Sequence, residues 1–398
     1  MVLALLGCEV CPSPEVTETT ISSGPIDFDR TVLQANICGP AIVDAADLDG
    51  DGADEVVVST FGRARGMSVP NGTLSIYDAE GFREAVITED DEYKWPNGST
   101  PLDVDGDGDL DLVVGLGFLT CQIDPFTSDC GGLLWFENPE WTVHELVAPG
   151  AEGFFHHAAL ADIDGDGFDD IVSANESQAT PLGTEAGSEV LLFRGPDYVD
   201  VTSLGEGMGF YIHADDVDAD GDLDLVGSNY WGVEDVGYSW MENADGWPTH
   251  AIDDASGPAI HIAPMADGRW IGSNHVGAGD PYGPTVSLYT PGDDVRALWT
   301  REDLATDFFA PEGAGSAAPG VISIGDIDGD GDEDVLVSGD GDRDIHWIEQ
   351  DGDTWHHHVL DVELPQAGVA LTDMDGDGRV ELLVSSWETN LLLRYVPQ

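Results

Sequence analysis

Six stretches of this chain set acidic residues at every second position: ADLDGDGADE (46–55), LDVDGDGDLD (102–111), ADIDGDGFDD (161–170), DDVDADGDLD (215–224), GDIDGDGDED (325–334) and TDMDGDGRVE (372–381). When such a loop coils, the alternate positions converge on one point. A hard cation of the size of Ca2+ takes roughly six to eight oxygens, mixing carboxylates with backbone carbonyls and water. Glycine at position 6 permits a turn that a Cβ disfavours. Without a cation, four carboxylates crowded into one loop would repel one another.

The ligand sets expected from this spacing take positions 1, 3, 5 and 9 through side chains and position 7 through its carbonyl. They are Asp47, Asp49, Asp51, Ala53 and Glu55; Asp103, Asp105, Asp107, Asp109 and Asp111; Asp162, Asp164, Asp166, Phe168 and Asp170. The remaining three are Asp216, Asp218, Asp220, Asp222 and Asp224; Asp326, Asp328, Asp330, Asp332 and Asp334; Asp373, Asp375, Asp377, Arg379 and Glu381. About six calcium ions per chain are expected. An EF-hand loop opens in the same way but needs a bidentate Glu at position 12. Position 12 here is Val58, Val114, Ser173, Gly227, Val337 or Val384, so that motif is excluded.

The elements that hold these loops repeat with them. The first aspartates are spaced by 56, 59, 54, 110 and 47 residues, and the long step hides a seventh unit, AIHIAPMADGRWIGSN (259–274), whose loop has shrunk to Ala266-Asp267-Gly268. Each unit has an apolar run before the loop and another after it. A third run follows, as in Leu133–Phe136, Tyr238–Met241 and Ile345–Ile348, and then a fourth marked Trp141-x-x-His144, Trp247-x-x-His250 or Trp355-x-x-His358. Short β-branched and aromatic runs bounded by Gly, Asp, Asn and Pro read as strands. No sustained 3.6-residue apolar period argues for helix. Four antiparallel strands repeated seven times predict an all-β fold, a seven-bladed β-propeller.

The loops followed by Val/Leu-rich strands resemble the FG-GAP, or VCBS, repeats of integrin-α-like propellers, and the resemblance covers residues 27–398. It implies cations held between the first and second strands of the blades, on one face. It implies less about function, because the family includes adhesion proteins, lectins and propeller modules attached to enzymes.

The ends of the chain predict how the ring closes. After Asp373 there is room for two more strands, 382–385 and 391–395, but not for a last one, while Asp27–Gln34 reads as an outer strand with no blade before it. Residues 27–34 are therefore expected to complete the C-terminal blade within a propeller spanning 27–398. Residues 9–26, with Pro12, Pro14 and a Ser/Thr cluster, are expected to be a linker. Leu5-Leu6-Gly7-Cys8 resembles the lipobox of bacterial lipoproteins, although no basic segment precedes it. Residues 1–8 then read as the remnant of a signal peptide, with Cys8 the lipidated residue. That implies export, with a lipid anchor as the only link to a membrane. Cys11, Cys38, Cys121 and Cys130 remain, and four cysteines allow three pairings. Cys121–Cys130 is the expected local bridge.

The charge limits the partners. Twelve Lys and Arg stand against 79 Asp and Glu, a net charge of −67, which repels nucleic acid and anionic lipid headgroups. The loops opposite the acidic face, 59–72, 115–132, 173–188, 228–237 and 273–284, carry Phe61, Phe118, Tyr230, Trp231 and Tyr282, with Arg63 and Arg65 among them. Such rings suit a protein or glycan partner, or else pack against one another as a plug. His156, His157, His213 and His261 fall on or beside the inner strands, the place that a transition-metal or catalytic site would take. No nucleophile–base order is recognisable. The expected function is a non-enzymatic, calcium-binding, monomeric surface propeller for protein or glycan. The alternatives are a lectin with sugar pockets between blades and a lyase-type polysaccharide-degrading enzyme.

Overall fold

The computed structural model describes residues 11–62, 71–79, 81, 83–88, 93–118, 120, 131–177, 186–231, 236–277, 279–310, 317–364 and 367–398. Cys8, Arg63, Arg65, Cys121 and Cys130 lie outside them. The described elements are strands, and all but two of them form seven antiparallel blades, six of four strands and one of five, while Asn71–Gly72 and Tyr93–Lys94 pair as a separate two-stranded sheet. The second blade shows the pattern: Pro96–Leu102 innermost, then Asp111–Leu116, Gly132–Glu137 and Thr142–Val147 at the rim. The hidden unit is a full blade, Ala259–Pro264, Trp270–Asn274, Val286–Thr290 and Thr300–Ala305, turned by Ala266-Asp267-Gly268.

The blades have apolar runs on both faces because both faces are interfaces. Successive strand residues point to opposite sides. In the second strand of the first blade, Val57 packs toward the second blade while Val56 and Val58 pack toward the seventh. Seven buried apolar clusters result, one for each pair of neighbouring blades around the ring. Trp240, Trp270 and Trp347 are fully buried within them. Each blade is thus sealed only by its neighbours, which makes closure of the ring a stability requirement.

Closure is made by the N-terminal segment. Strand β2 (Ile26–Ala35) pairs with Leu391–Pro397 in register Arg30 to Tyr395 and Val32 to Leu393. Residues 9–26, expected to be a linker, differ from that expectation. Thr19–Ser23 forms β1, a fifth strand paired antiparallel outside β2, with Thr19 opposite Arg30 and Ser23 opposite Ile26. Its alternate residues explain why it stays there. Ile21 packs on the cluster between the sixth and seventh blades, as does Val16, and the Ser23 hydroxyl donates to Val359 O and accepts from Trp347 Nε1. A disulfide joins Cys11 to Cys38, which fixes the start of the segment to the entrance of the first blade.

One polar motif occurs twice. Between the fourth and fifth blades, Asp253 accepts from the Tyr289 hydroxyl (2.9 Å) and pairs with Arg301 (3.0 Å). Between the sixth and seventh, Asp361 accepts from the Tyr395 hydroxyl (2.7 Å) and pairs with Arg30 (2.7 Å). Arg301 is on an outer strand, so Arg30 holds the same place in the blade that the N-terminus completes.

Candidate functional site

The two faces of the ring carry different chemistry. On one face lie the six acidic loops, each joining the first strand of a blade to its second. Their coil is built by their own backbone. In four loops the position-1 carboxylate accepts from the N–H groups of positions 5 and 6, as Asp47 does from Asp51 and Gly52, both at 3.0 Å, and Asp373 from Asp377 and Gly378, while in the fifth Asp326 accepts from Gly329 and Gly331. In all six loops the position-5 aspartate accepts from the N–H of position 7. Positions 4 and 6 take left-handed φ, 75° and 94° at Gly50 and Gly52. In the fourth loop Ala219 holds position 4 at φ 60°, at a cost that glycine avoids.

Position 9 does more than its spacing reveals. Its carboxylate accepts from the position-2 N–H in every loop: Glu55 from Leu48, Asp111 from Val104, Asp170 from Ile163, Asp224 from Val217, Asp334 from Ile327 and Glu381 from Met374. In four blades its second oxygen reaches the turn between the third and fourth strands, accepting from Asn138, Gly195, Asn243 or Gln350. The same side chain therefore clasps two turns of one blade. Burial pushes Asp224 up to about 6 and Asp334 up to about 7, partly offset by those N–H donors.

The carboxylates converge as a cation needs. Oxygens of Asp47, Asp49 and Glu55 lie within 4.8 Å of one another, as do those of Asp162, Asp164 and Asp170, of Asp216, Asp218 and Asp224, and of Asp326, Asp328 and Asp334. The second loop gathers Asp103, Asp105 and Asp107 instead. In the other four, the position-5 aspartate stays outside the trio and serves the backbone. Oδ1 of Asp103 and of Asp109 in the second loop, and of Asp218 in the fourth, is buried with no hydrogen-bond partner, an arrangement that a cation in each loop would satisfy. Burial and then the neighbouring carboxylates raise the pKa of Asp109 and Asp222, the electrostatic cost of the cluster by itself.

Sequence reasoning missed that arginines reach three loops at position 3. Arg194 pairs with Asp164 (2.9 Å), Arg296 with Asp218, and Arg394 with Asp375 (3.4 Å). All three come from third strands or rim turns, so no local pattern announces them.

The opposite face is the mouth of the central channel, a cavity of about 380 Å³. Phe61, Phe118, Tyr230 and Trp231 line it, as their loops led us to expect, whereas Tyr282 lies against Gly257. Trp95, Phe210 and Trp387 line it too. Trp95 and Phe210 stand where a connection from the rim of one blade enters the inner strand of the next, and such connections also cross this face. Both take left-handed φ, 40° and 52°, a costly backbone for an aromatic residue. The rings pack on one another as well as on the cavity. Phe61 stacks on Trp95 at 4.8 Å, and His156 on Phe210 at 3.8 Å.

The polar lining is mostly paired. His156 meets Glu176 (2.8 Å) and His275 meets Asp340 (3.1 Å). Burial would lower the His275 pKa, but its bond to the Asp340 carboxylate and that carboxylate's charge leave it raised. Asp44 accepts from the Ser99 N–H (3.0 Å) and hydroxyl (2.9 Å), and burial pushes its carboxyl up to about 6 against those bonds. Deeper in the channel the histidines stand apart. Ring centroids are 5.7 Å apart for His157 and His213, and 6.2 Å for His213 and His261. His261 Nδ1 accepts from the Ile322 N–H, whereas His157 Nδ1 and His213 Nε2 are buried with no hydrogen-bond partner. Burial holds His157 at about 3 and His213 at about 4. At the rim, His144, His250 and His358 each meet a glutamate, Glu137, Glu242 or Glu349, and a third-strand tryptophan.

Comparison with known proteins identifies the repeat. The model of the FG-GAP-like repeat matches residues 326–384. No curated protein matches the chain. Among solved structures, BBS1N in complex with ARL6DN is similar, at 12% identity and a TM-score of 0.55, covering 95% of this chain and 96% of that one. A second structure of that complex gives a TM-score of 0.52 at 12% identity, covering 96% and 97%. An Agrocybe aegerita lectin whose structure concerns recognition of non-reducing terminal N-acetylglucosamine aligns at 14% identity over 90% of this chain and 86% of its own, with a TM-score of 0.46. At these identities the likeness is one of fold.

Proposed function

Since the chain is a seven-bladed propeller of FG-GAP-like repeats, we propose that it is a calcium-stabilised, non-enzymatic binding module that receives its ligand at the channel mouth. The observation that carries this reading is the division of labour between the faces. Oxygens cluster in loops on one face, and an aromatic cavity opens on the other. Loops on a rigid scaffold are where binding residues collect. The interfaces between blades are filled by apolar clusters, which favours the mouth over pockets between blades.

Calcium would be held by Asp47, Asp49 and Glu55 in the first loop and by the corresponding trios elsewhere. Its charge would offset the repulsion among carboxylates and pin the turn between two strands. Each site filled at 100-fold over Kd adds about 2.7 kcal/mol. The ligand is a protein or a glycan, which the rings would meet by stacking. Export with a lipid anchor at Cys8 fits the Cys11–Cys38 disulfide, a bond favoured in oxidising compartments.

The test has two arms. Melting should be measured in excess chelator, in calcium and in magnesium, and calcium should restore stability best, because magnesium prefers a tighter octahedral shell. Equal melting in chelator and calcium would remove the metal from the proposal. Immobilised wild type and Trp95→Ala should then be compared on glycan and protein panels. Retention of every ligand by the variant would move the binding site away from the mouth.

A further inference from the structure

The channel mouth combines two features that are each ordinary and together selective. Its walls are ring faces: Phe61 and Trp95 stacked at 4.8 Å, with Tyr230 across the opening from them. Aromatic faces carry negative potential and attract organic cations, more strongly when the cation is desolvated. Further in, on the inner strand of the first blade, stands the carboxylate of Asp44.

The bonding of Asp44 is lopsided. Both of its hydrogen bonds, from the Ser99 N–H and hydroxyl, fall on Oδ2. Among the described residues no cationic side chain pairs with it. The other acid lining the cavity, Asp340, already has His275 at 3.1 Å. A carboxylate at the inner end of an apolar, ring-walled cavity is costly unless a cation joins it. The field of the whole chain, with a net charge of −67, draws cations to it and repels anions.

We propose that the channel mouth binds an organic ammonium ion, its charge directed at Asp44 and its apolar body held between the Phe61–Trp95 stack and Tyr230. This rests on the mouth being the ligand-receiving surface. It keeps that surface and names the chemical group that enters, whether or not a protein carries it. The group comes either as a free amine or as the end of a lysine side chain on a protein ligand. A cavity of about 380 Å³ accommodates either one.

The experiment uses the whole chain with calcium present, at pH 8 and moderate salt, read by calorimetry and by quenching of indole fluorescence. The probes are phenethylammonium, its neutral isostere 2-phenylethanol and its anionic counterpart phenylacetate. Phenethylammonium should bind at least about tenfold more tightly than 2-phenylethanol, with phenylacetate weakest. Asp44→Asn, which keeps an acceptor for Ser99, should bring the ammonium-to-alcohol ratio below about threefold. A nonspecific attraction to the acidic chain would survive that substitution, and such survival overturns the proposal. So does equal binding of amine and alcohol by the wild type, a comparison that needs no variant to fold.

Failures of the two readings look different. Equal binding that is lost in Trp95→Ala leaves the mouth as the ligand site and removes only the cation. No saturable binding of any probe removes both. A second arm compares N-acetyl-lysine amide with its Nε-acetylated form. Tighter binding than phenethylammonium, abolished by acetylation, assigns the ammonium to a protein side chain, and the reverse order assigns it to a free amine.

Discussion

Arg30 Nη1 lies 2.7 Å from Asp361 Oδ2, although the two residues are 331 positions apart in the chain. The pair, with Tyr395, reproduces the Arg301–Asp253–Tyr289 arrangement found within the ring. It locks the N-terminal strand into the last blade. Both partners are largely shielded from solvent, so removing the guanidinium leaves Asp361 with less than its native set of donors. Arg30→Met should cost about 1–3 kcal/mol in urea unfolding. Unchanged stability would mean that the strand is held by its backbone ladder and apolar contacts alone.

Truncation tests the same closure more severely. Deleting residues 1–25 removes the Cys11–Cys38 link and β1, exposing the edge of β2 and the surface that Ile21 covers. We expect a folded but weakened ring, the disulfide alone contributing about 2–4 kcal/mol. Deleting through residue 35 also strips β2 and leaves Leu391–Pro397 as a long apolar edge, which should pair with other chains. Size-exclusion chromatography of the two products separates these outcomes. Two equally monomeric and equally stable truncations would contradict a closing role for the N-terminus.

What the sequence makes legible follows from distance along the chain. The six acidic loops are local, so their spacing gives the coil, the face they share and the strands on either side. The repeat then yields seven blades and the hidden fifth unit. Thr19–Ser23 escapes because four threonines and serines around a single Ile21, near two prolines, resemble a linker, and the segment becomes a strand because β2 offers it an edge and the last two blades a seat for Ile21. Trp95 and Phe210 escape because attention to the loops between second and third strands overlooks the connections between blades. The second task of position 9, as at Asp111 with Asn138, joins residues 27 positions apart, one on the second strand of the blade and the other in the turn after the third. The arginines at position 3 are invisible for the same reason.

Those arginines have a measurable consequence. Arg296 faces Asp218 and donates to both oxygens of Glu242, at 2.8 and 2.9 Å, which holds Glu242 at about 2. A guanidinium at position 3 supplies part of the positive charge that a cation would bring, and it must swing aside or share the carboxylate when calcium binds. Calorimetric titration should therefore resolve two classes of site, with the loops of Asp164, Asp218 and Asp375 filling last. Arg296→Ala should lower the melting temperature more in chelator than in calcium and should tighten the weaker class. A single class of sites, unchanged by the substitution, would show that arginine and metal do not compete.

The channel histidines give the ring a pH limit whose sign can be worked out. His157 is held at about 3, His213 at about 4 and His261 well below its ordinary value, each chiefly by burial, with neighbouring imidazoles adding to it at His157 and His261. Unfolded histidines titrate near 6.5. Between that value and the native ones the unfolded chain binds more protons, so stability falls as pH drops below about 6.5. Asp44 acts in the opposite sense. Its native value of about 6 exceeds that of an unfolded aspartate, so it contributes stability below the unfolded value that is lost as pH rises through 6. With three histidines against one such aspartate in the channel, the histidines should dominate there. His213→Asn isolates one of them, because asparagine does not titrate. The stability difference between wild type and variant, measured by urea unfolding, should shift against the wild type by on the order of 1 kcal/mol from pH 7 to pH 5, the full value being reduced by water in the channel. Parallel curves over that range would show that His213 is protonated as easily in the folded ring as in the unfolded chain.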